Sequence, residues 1–483
     1  MMDTEKKDFM TNIIIIGAGI SGSLIAHALS KKNVHVIVIE KSNDVANMAS
    51  GANSAIIHSG HDPKPNTLKA KLNVQGNRMY PNLCKELQVD YKQVGAYVVA
   101  TTQEEVEKLM TLEKQCQDRN IPYSILTKEQ LKESEPNLSD SVQKGLSLPT
   151  TGIVTPWQVC IAAMEEAILN GTQLFLNETV LGIEKKDDIF YVRTNEQVHQ
   201  ANIVIDCAGV YADQIANMIC KPQYQITPRR GEYFILDRSQ SEYMKHVIYP
   251  VPTKKGKGVL IVPTIHGNLL IGPNAENIED KEGTQTSEAL NFVKSQITKT
   301  IQNVPFHQII HTYAGLRPTG NTGDFYIQED EDIQNFIHVS CIESPGLASA
   351  PAIAQMVVED LLGKHHFTTK DTYQKRRKPF VMKDISSQEK DEWIQENPEC
   401  GKIICRCEQI SLAEIKDVIH RPCGATTIKG VKRRCRPGMG RCQGGFCEPL
   451  VYDILKKELH ADKILQDEKQ SEIEVAIAKE DLK

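Results

Sequence analysis

The chain has 483 residues, enough for more than one core, and its 40% hydrophobic and 24% charged composition excludes a disordered or fibrous protein. A net charge of −6 gives no global reason to expect nucleic acid, and no stretch is long and apolar enough for a membrane span. The polar start MMDTEKKDFMTN, an apolar run too short for a secretory signal (Ile13 to Ile16) and thirteen cysteines suit a reducing compartment, so a cytoplasmic protein is expected.

The first forty residues read as strand, turn, helix, strand. Asn12 to Ile16 is a short β-branched run of the kind found in a buried parallel strand. Gly17-Ala18-Gly19-Ile20-Ser21-Gly22 follows directly, SGSLIAHALSKK has helical periodicity, and VHVIVIE returns as a second strand ending at Glu40. A lone GxGxxG is weak, but this one sits between strand and helix with an acid 18 residues beyond its third glycine. Gly17 permits the tight turn, Gly19 lets backbone approach a pyrophosphate, and Gly22 allows close helix–strand packing. The helix N-terminus attracts the phosphates, and Glu40 accepts from the adenosine ribose. The motif leaves FAD and NAD open.

Four later segments carry a resemblance: SGANSAIIHSGHDPKPNTLKAKL (Ser50 to Leu72), TGIVTPWQV (Thr151 to Val159), ANIVIDCAGVYAD (Ala201 to Asp213) and SPGLASAPAIA (Ser344 to Ala354). Together they resemble the FAD-dependent D-amino-acid-oxidase-like superfamily over about residues 10–365. The resemblance implies an α/β architecture, a Rossmann-like FAD-binding domain with an inserted antiparallel-sheet substrate domain, and FAD as cofactor. It also implies that Ser50, Asn53, Ser54, Ala208, Gly209, Ser344, Gly346 and Leu347 join Gly17, Gly19, Gly22 and Glu40 in holding that cofactor. Ala55 stands where this family commonly has glycine and is expected to crowd the flavin slightly. PRRGEYFIL, GKGVLIVPT and AGLRPTG look most like the glycerol-3-phosphate dehydrogenase and L-2-hydroxyglutarate oxidase branch.

Small anionic substrates need fixed cations in a largely apolar pocket. Arg317, just ahead of Pro318, is held stiffly enough to aim a guanidinium fork at a phosphate or carboxylate. Lys257, at a strand entrance, is the second candidate cation, against the alternative of a solvated lysine. Arg229 and Arg230 either line the substrate side or pair with carboxylates. His58 falls on a loop that the resemblance places against the flavin ring, where imidazole could take a hydroxyl proton; the alternatives are a flavin contact or a core histidine. His61 is close enough to compete for the same role.

Residues 366–398 are polar and read as a connector wrapping the surface with one short helix. Beyond it, seven of the thirteen cysteines fall between Cys400 and Cys447, and Cys405-x-Cys407 and Cys442-x₄-Cys447 form two close pairs. Four thiolates suit a [2Fe–2S] cluster, each close pair serving one iron, or a structural zinc, although zinc ligands are usually spaced by two to four residues. Some could also be plain buried thiols. Around the second pair run Lys429, Lys432, Arg433, Arg434, Arg436 and Arg441 with four glycines, a setting that would stabilise an anionic cluster through cations and backbone N–H groups; the alternative is a solvated basic face.

CRCEQISLAEIKDVI and KGVKRRCRPGMGRCQGGFC resemble the bacterioferritin-associated-ferredoxin-type (BFD-like) [2Fe–2S] domain appended to some flavin dehydrogenases, over residues 399–455. In that family the paired cysteines are ligands, which here implies Cys405, Cys407, Cys442 and Cys447 and a small helical domain; residues 456–483 read as a charged tail. Flavin and cluster in one chain imply a converter from two-electron to one-electron chemistry, as in anaerobic-type glycerol-3-phosphate dehydrogenases. The expected reaction is oxidation of sn-glycerol 3-phosphate to dihydroxyacetone phosphate. L-2-hydroxyglutarate oxidation and an electron-transfer subunit without its own substrate are the competing expectations. A companion flavoprotein or a quinone-linked subunit is the expected acceptor, and peripheral membrane association stays open.

Overall fold

The computed structural model describes residues 11–252, 258–281 and 285–461. Lys257 and the tail from residue 462 onward lie outside them.

The first strand, Asn12–Ile16, lies at the centre of a six-stranded sheet. It pairs in parallel with His35–Ile39 on one side and with Ile203–Asp206 on the other. Gln173–Phe175 and Phe336–Ser340 extend the parallel sheet, and Tyr326–Glu329 closes it as an antiparallel edge. The run Ile13 to Ile16 is apolar throughout because both faces are covered. Ile13 and Ile15 point into a core shared with the helices Ile20–Leu29, Pro156–Leu169 and Gly346–Gln355. Ile14 and Ile16 face a three-stranded antiparallel sheet of Val180–Lys186, Ile189–Thr194 and Val198–Ala201. Each such fully buried side chain contributes about 1.5–3 kcal/mol.

The second, nine-stranded sheet is built around one long antiparallel pair, Ile226–Leu236 with Ile309–Gly320. Its register sets Arg229 directly opposite Arg317. Residues directly opposite share a face, so the pairing puts two guanidiniums side by side.

The C-terminal unit is small and mainly helical, as expected. A short hairpin, Ile403–Cys405 with Ile410–Ser411, leads into helices Leu412–Ile419, Ile428–Cys435 and Glu448–Glu458 around their own apolar core. Ser411 and Glu414 form a capping box that starts the first of these helices. The connector does hold one short helix, Ser387–Glu396. It is not purely a surface wrap: Arg376 is buried against Glu165, and Met382 packs with Cys400 and Ala413.

Candidate active site

The turn after the first strand is as tight as its glycines require. Gly17 has φ +102°, and a Cβ there would sit 2.6 Å from the Cys207 carbonyl oxygen. A Cβ on Gly22 would sit 2.0 Å from the Gly17 carbonyl oxygen, so the helix can approach its strand only without one. Ser50 Oγ accepts the Ile20 N–H at 2.8 Å, which ties the 47–54 loop to the helix N-terminus. Glu40 is buried, its carboxylate accepting the Ala18 N–H at 2.8 Å and the Ser42 N–H at 2.9 Å. Burial pushes its pKa up against those bonds.

Gly17, Gly19, Glu40 and Ser50 line part of a cavity of about 890 Å³. The cavity continues past Ala208, Gly209 and the 47–54 loop, and reaches Ser344, Gly346, Leu347, Arg229 and Arg317. Asn53 orders the loop between, its amide donating to the Ala49 and Ser50 carbonyls while its oxygen accepts the Ala55 N–H. Ala55 is absent from the cavity wall and takes φ +60°. Its departure from glycine therefore costs backbone energy, on the order of 1 kcal/mol, rather than space beside the ring.

Gly315 passes so close to the 47–54 loop that a Cβ would lie 1.9 Å from the Ala52 carbonyl oxygen. Tyr313 donates from its hydroxyl to the Asn53 carbonyl at 2.7 Å and stacks on Tyr233, with centroids 4.7 Å apart. Arg317 Nη2 donates to the Asn274 carbonyl at 2.9 Å, and a Cβ on Gly231 would sit 2.2 Å from that nitrogen. The glycine is what leaves room for the guanidinium. Arg229 shares the cavity wall, whereas Arg230 turns to Glu232 and Glu276. The two sequence alternatives for this pair are thus divided between the two residues.

His58 also lines the cavity, with Nδ1 2.8 Å from the Tyr249 hydroxyl. Burial raises the Tyr249 pKa well above its usual value, so the partner is a neutral phenol. His61 is not in the cavity wall; its ring meets the edge of Tyr249 instead.

Asp206, at the end of its strand, is fully buried, with one oxygen accepting the Ala208 N–H and the other, Oδ2, unpartnered. Burial raises its pKa to about 8. Between the unfolded value and about 8 the native state holds more protons than the unfolded chain, so stability falls as pH rises through that window. Asp206→Asn is expected to remove that slope. In paired melting curves, the variant should gain on the parent as pH rises from 5 to 8, by roughly 3–5 kcal/mol in all.

In the C-terminal unit, the Sγ atoms of Cys407 and Cys442 lie 3.6 Å apart. Cys447 donates a hydrogen bond to Cys405 and, helped by N–H groups of Gly438, Glu408 and Cys407, pulls its thiol down to about 6, while Cys447 itself is pushed up. These contacts run between the two sequence pairs rather than within them. Two contacting pairs of thiols, Cys407 with Cys442 and Cys405 with Cys447, with backbone N–H groups directed at sulfur, fit an anionic iron–sulfur cluster. Of the other three cysteines of this region, Cys400 packs beside Met382 and Cys435 against the core of the second unit, while Cys423, in the core of the first, has its sulfur 3.6 Å from Arg434 Nη2.

Part of the basic run, Arg433 and Arg434, binds the first unit instead of surrounding the cysteines. Arg434 makes a bidentate pair with Asp44 at 2.7 and 2.8 Å, both side chains buried. Arg433 donates to Asn47, and its carbonyl accepts from Trp157 Nε1 at 3.0 Å. Arg421 grips Glu165 at 2.6 and 3.0 Å. Arg436 stays near Cys405, paired with Glu408 at 3.0 Å. Asp44 and Asn47 begin the loop that borders the cavity, so the cysteine-rich unit is bolted to the cavity wall.

Residues 12–360 match the family model "FAD dependent oxidoreductase", about three-quarters of the chain. The chain belongs to the FAD dependent oxidoreductase family. Residues 403–457 match the "BFD-like [2Fe-2S] binding domain". The oxidoreductase is 45% identical to the glycerol 3-phosphate dehydrogenase of Caloramator mitchellensis, over 93% of this chain and 95% of that one. It is 30% identical to the L-2-hydroxyglutarate dehydrogenase of Indibacter alkaliphilus, over 72% of this chain and 98% of that one. Among solved structures it superposes on the dithionite-reduced, FAD-bound L-α-glycerophosphate oxidase of Mycoplasma pneumoniae with a TM-score of 0.73. That match has 28% identity and covers 77% of this chain and all of the other. FAD and a [2Fe–2S] cluster are therefore the cofactors of this flavoprotein, and the fold is the α/β architecture expected. No helix among the described residues is long and apolar enough to cross a membrane.

The tight glycine turn makes the first cofactor contact easy to test. Gly22→Ala forces strand and helix apart and should yield protein purified with less than a tenth of the parent's FAD, measured by absorbance after denaturation. An unchanged flavin content would remove the packing argument.

Proposed function

We propose that this oxidoreductase converts sn-glycerol 3-phosphate to dihydroxyacetone phosphate and passes the electrons, through its cluster domain, to an external acceptor. The observation carrying this reading is the 45% identity with a glycerol 3-phosphate dehydrogenase across both domains. The match to the L-2-hydroxyglutarate dehydrogenase spans only 72% of the chain.

In this reading Gly17, Gly19, Gly22 and Glu40 hold the dinucleotide end of FAD, and the residues of the 47–54 loop, 208–209 and 344–347 hold the rest. When bound there, FAD would supply an acceptor for the hydride equivalent of the substrate carbinol and a donor of single electrons. Arg317 and its cross-strand neighbour Arg229 grip the substrate phosphate: two fixed guanidiniums suit a dianion, and Gly231 fixes where one of them sits. His58 takes the hydroxyl proton. In the tautomer whose Nδ1–H is donated to the Tyr249 oxygen, Nε2 is the accepting nitrogen. Cys405, Cys407, Cys442 and Cys447 ligate the cluster.

Anaerobic turnover with an artificial acceptor separates the substrates. Glycerol 3-phosphate should give a kcat/KM at least a hundredfold above that of L-2-hydroxyglutarate, and the reverse order would overturn the assignment.

A further inference from the structure

We propose that the exposed face of the cluster domain around Phe446 and Leu450 is the landing surface for an acidic one-electron carrier protein; this deepens the reading above. Phe446, 84% exposed, immediately precedes Cys447, and Leu450, 47% exposed, follows three residues after it. Arg406 and Arg441 are exposed and immediately precede Cys407 and Cys442, whose sulfurs touch at 3.6 Å. Each of these side chains is therefore within one to three residues of a ligand. The domain's other arginines, Arg421, Arg433, Arg434 and Arg436, are buried in pairs or in the interdomain contact. Glu448, the exposed acid next to Cys447, lies along Gly444, where a Cβ would come 2.9 Å from its carboxylate.

An exposed phenylalanine and leucine framed by two arginines suit an apolar patch rimmed by carboxylates. Asp44, Asn47, Trp157 and Glu165 of the FAD domain take up one side of the domain. Arg238, just beyond the strand Ile226–Leu236 of the nine-stranded sheet, reaches its edge, donating to the Cys407 carbonyl at 2.8 Å and adding a third exposed cation beside Arg441; Phe446 and Leu450 stay exposed for outward transfer. Each glycerol 3-phosphate yields two electrons and two protons. The cluster holds one electron at a time, so two carrier molecules dock in turn, each gaining one electron, and the protons pass to solvent.

The test uses the full holoenzyme reduced with dithionite and freed of excess, so that it does not depend on which substrate the enzyme takes. An acidic plant-type ferredoxin is the probe, with both binding and electron delivery measured at low and high salt. Delivery by the parent should weaken with salt. Arg406→Glu/Arg441→Glu and Phe446→Ser should each weaken ferredoxin binding and reduction at least tenfold, and the charge-reversed variant should lose the salt dependence. The cluster's paramagnetic resonance spectrum and reduction of a small neutral quinone should be unchanged. Unaltered delivery to ferredoxin by both variants would overturn the proposal. So would capture of the parent, but not the variants, by phosphatidylglycerol vesicles, which would make the face a membrane contact instead.

Discussion

Arg434→Leu is expected to leave substrate reduction of FAD nearly untouched and to slow reduction of the cluster at least tenfold. The guanidinium and the Asp44 carboxylate are both buried, at 3% and 6% exposure, and bind through two short hydrogen bonds. Removing one partner strands a charge inside the interface, at a cost of about 3–5 kcal/mol, equivalent to a shift of roughly 10²–10⁴-fold in the docking equilibrium. The Arg421–Glu165 pair remains and should keep the domain tethered nearby. Rapid mixing with substrate, following flavin absorbance and the cluster signal separately, reads the two steps apart. Because removing both charges avoids the stranded carboxylate, Asp44→Leu/Arg434→Leu should recover part of the loss. Equal slowing of both steps in the single variant would mean that the pair supports the fold at large rather than the coupling of the two centres.

Arg317→Met should lower kcat/KM for glycerol 3-phosphate by roughly 10²–10³-fold, about 3–4 kcal/mol, without loss of FAD. The side chain is fixed by the Asn274 carbonyl and by the space Gly231 leaves, so its charge is aimed before substrate arrives. Arg317→Lys should recover only a fraction, since an ammonium cannot make the bidentate fork. Gly231→Ala should mimic the loss by displacing the guanidinium, with Arg317 itself intact. A variant that loses FAD along with activity would instead point to a role in holding the cofactor.

The parts of this site that could be read from sequence are those whose chemistry is local. The strand, glycine turn and helix of residues 12–29 state their own geometry, because Gly17 takes a positive φ and a Cβ on Gly22 would meet the Gly17 carbonyl within the turn itself. The cysteine cluster is likewise legible, since two compact pairs of thiols have few other uses. What could not be read is the pairing of distant segments. Arg229 meets Arg317 only through the register of two strands some ninety residues apart, and sequence offered no means to choose between Arg229 and Arg230. Arg433 and Arg434 looked like part of a cluster shell or a solvated face because their true partners, Asn47 and Asp44, lie nearly four hundred residues upstream. Tyr249 and Asp206 carried no local signal at all: each matters through burial, a property of the whole fold. Ala55 shows the opposite error, a departure from a family pattern read as crowding when its consequence is a backbone angle.

The central claim is that electrons enter this chain at FAD and leave through its own cluster. Anaerobic titration of the holoenzyme with glycerol 3-phosphate, followed by visible absorbance and electron paramagnetic resonance, tests it most directly. The flavin should bleach and the signal of a reduced [2Fe–2S] cluster should appear in the same titration. A bleached flavin with a silent cluster, or no bleaching at all, would contradict it.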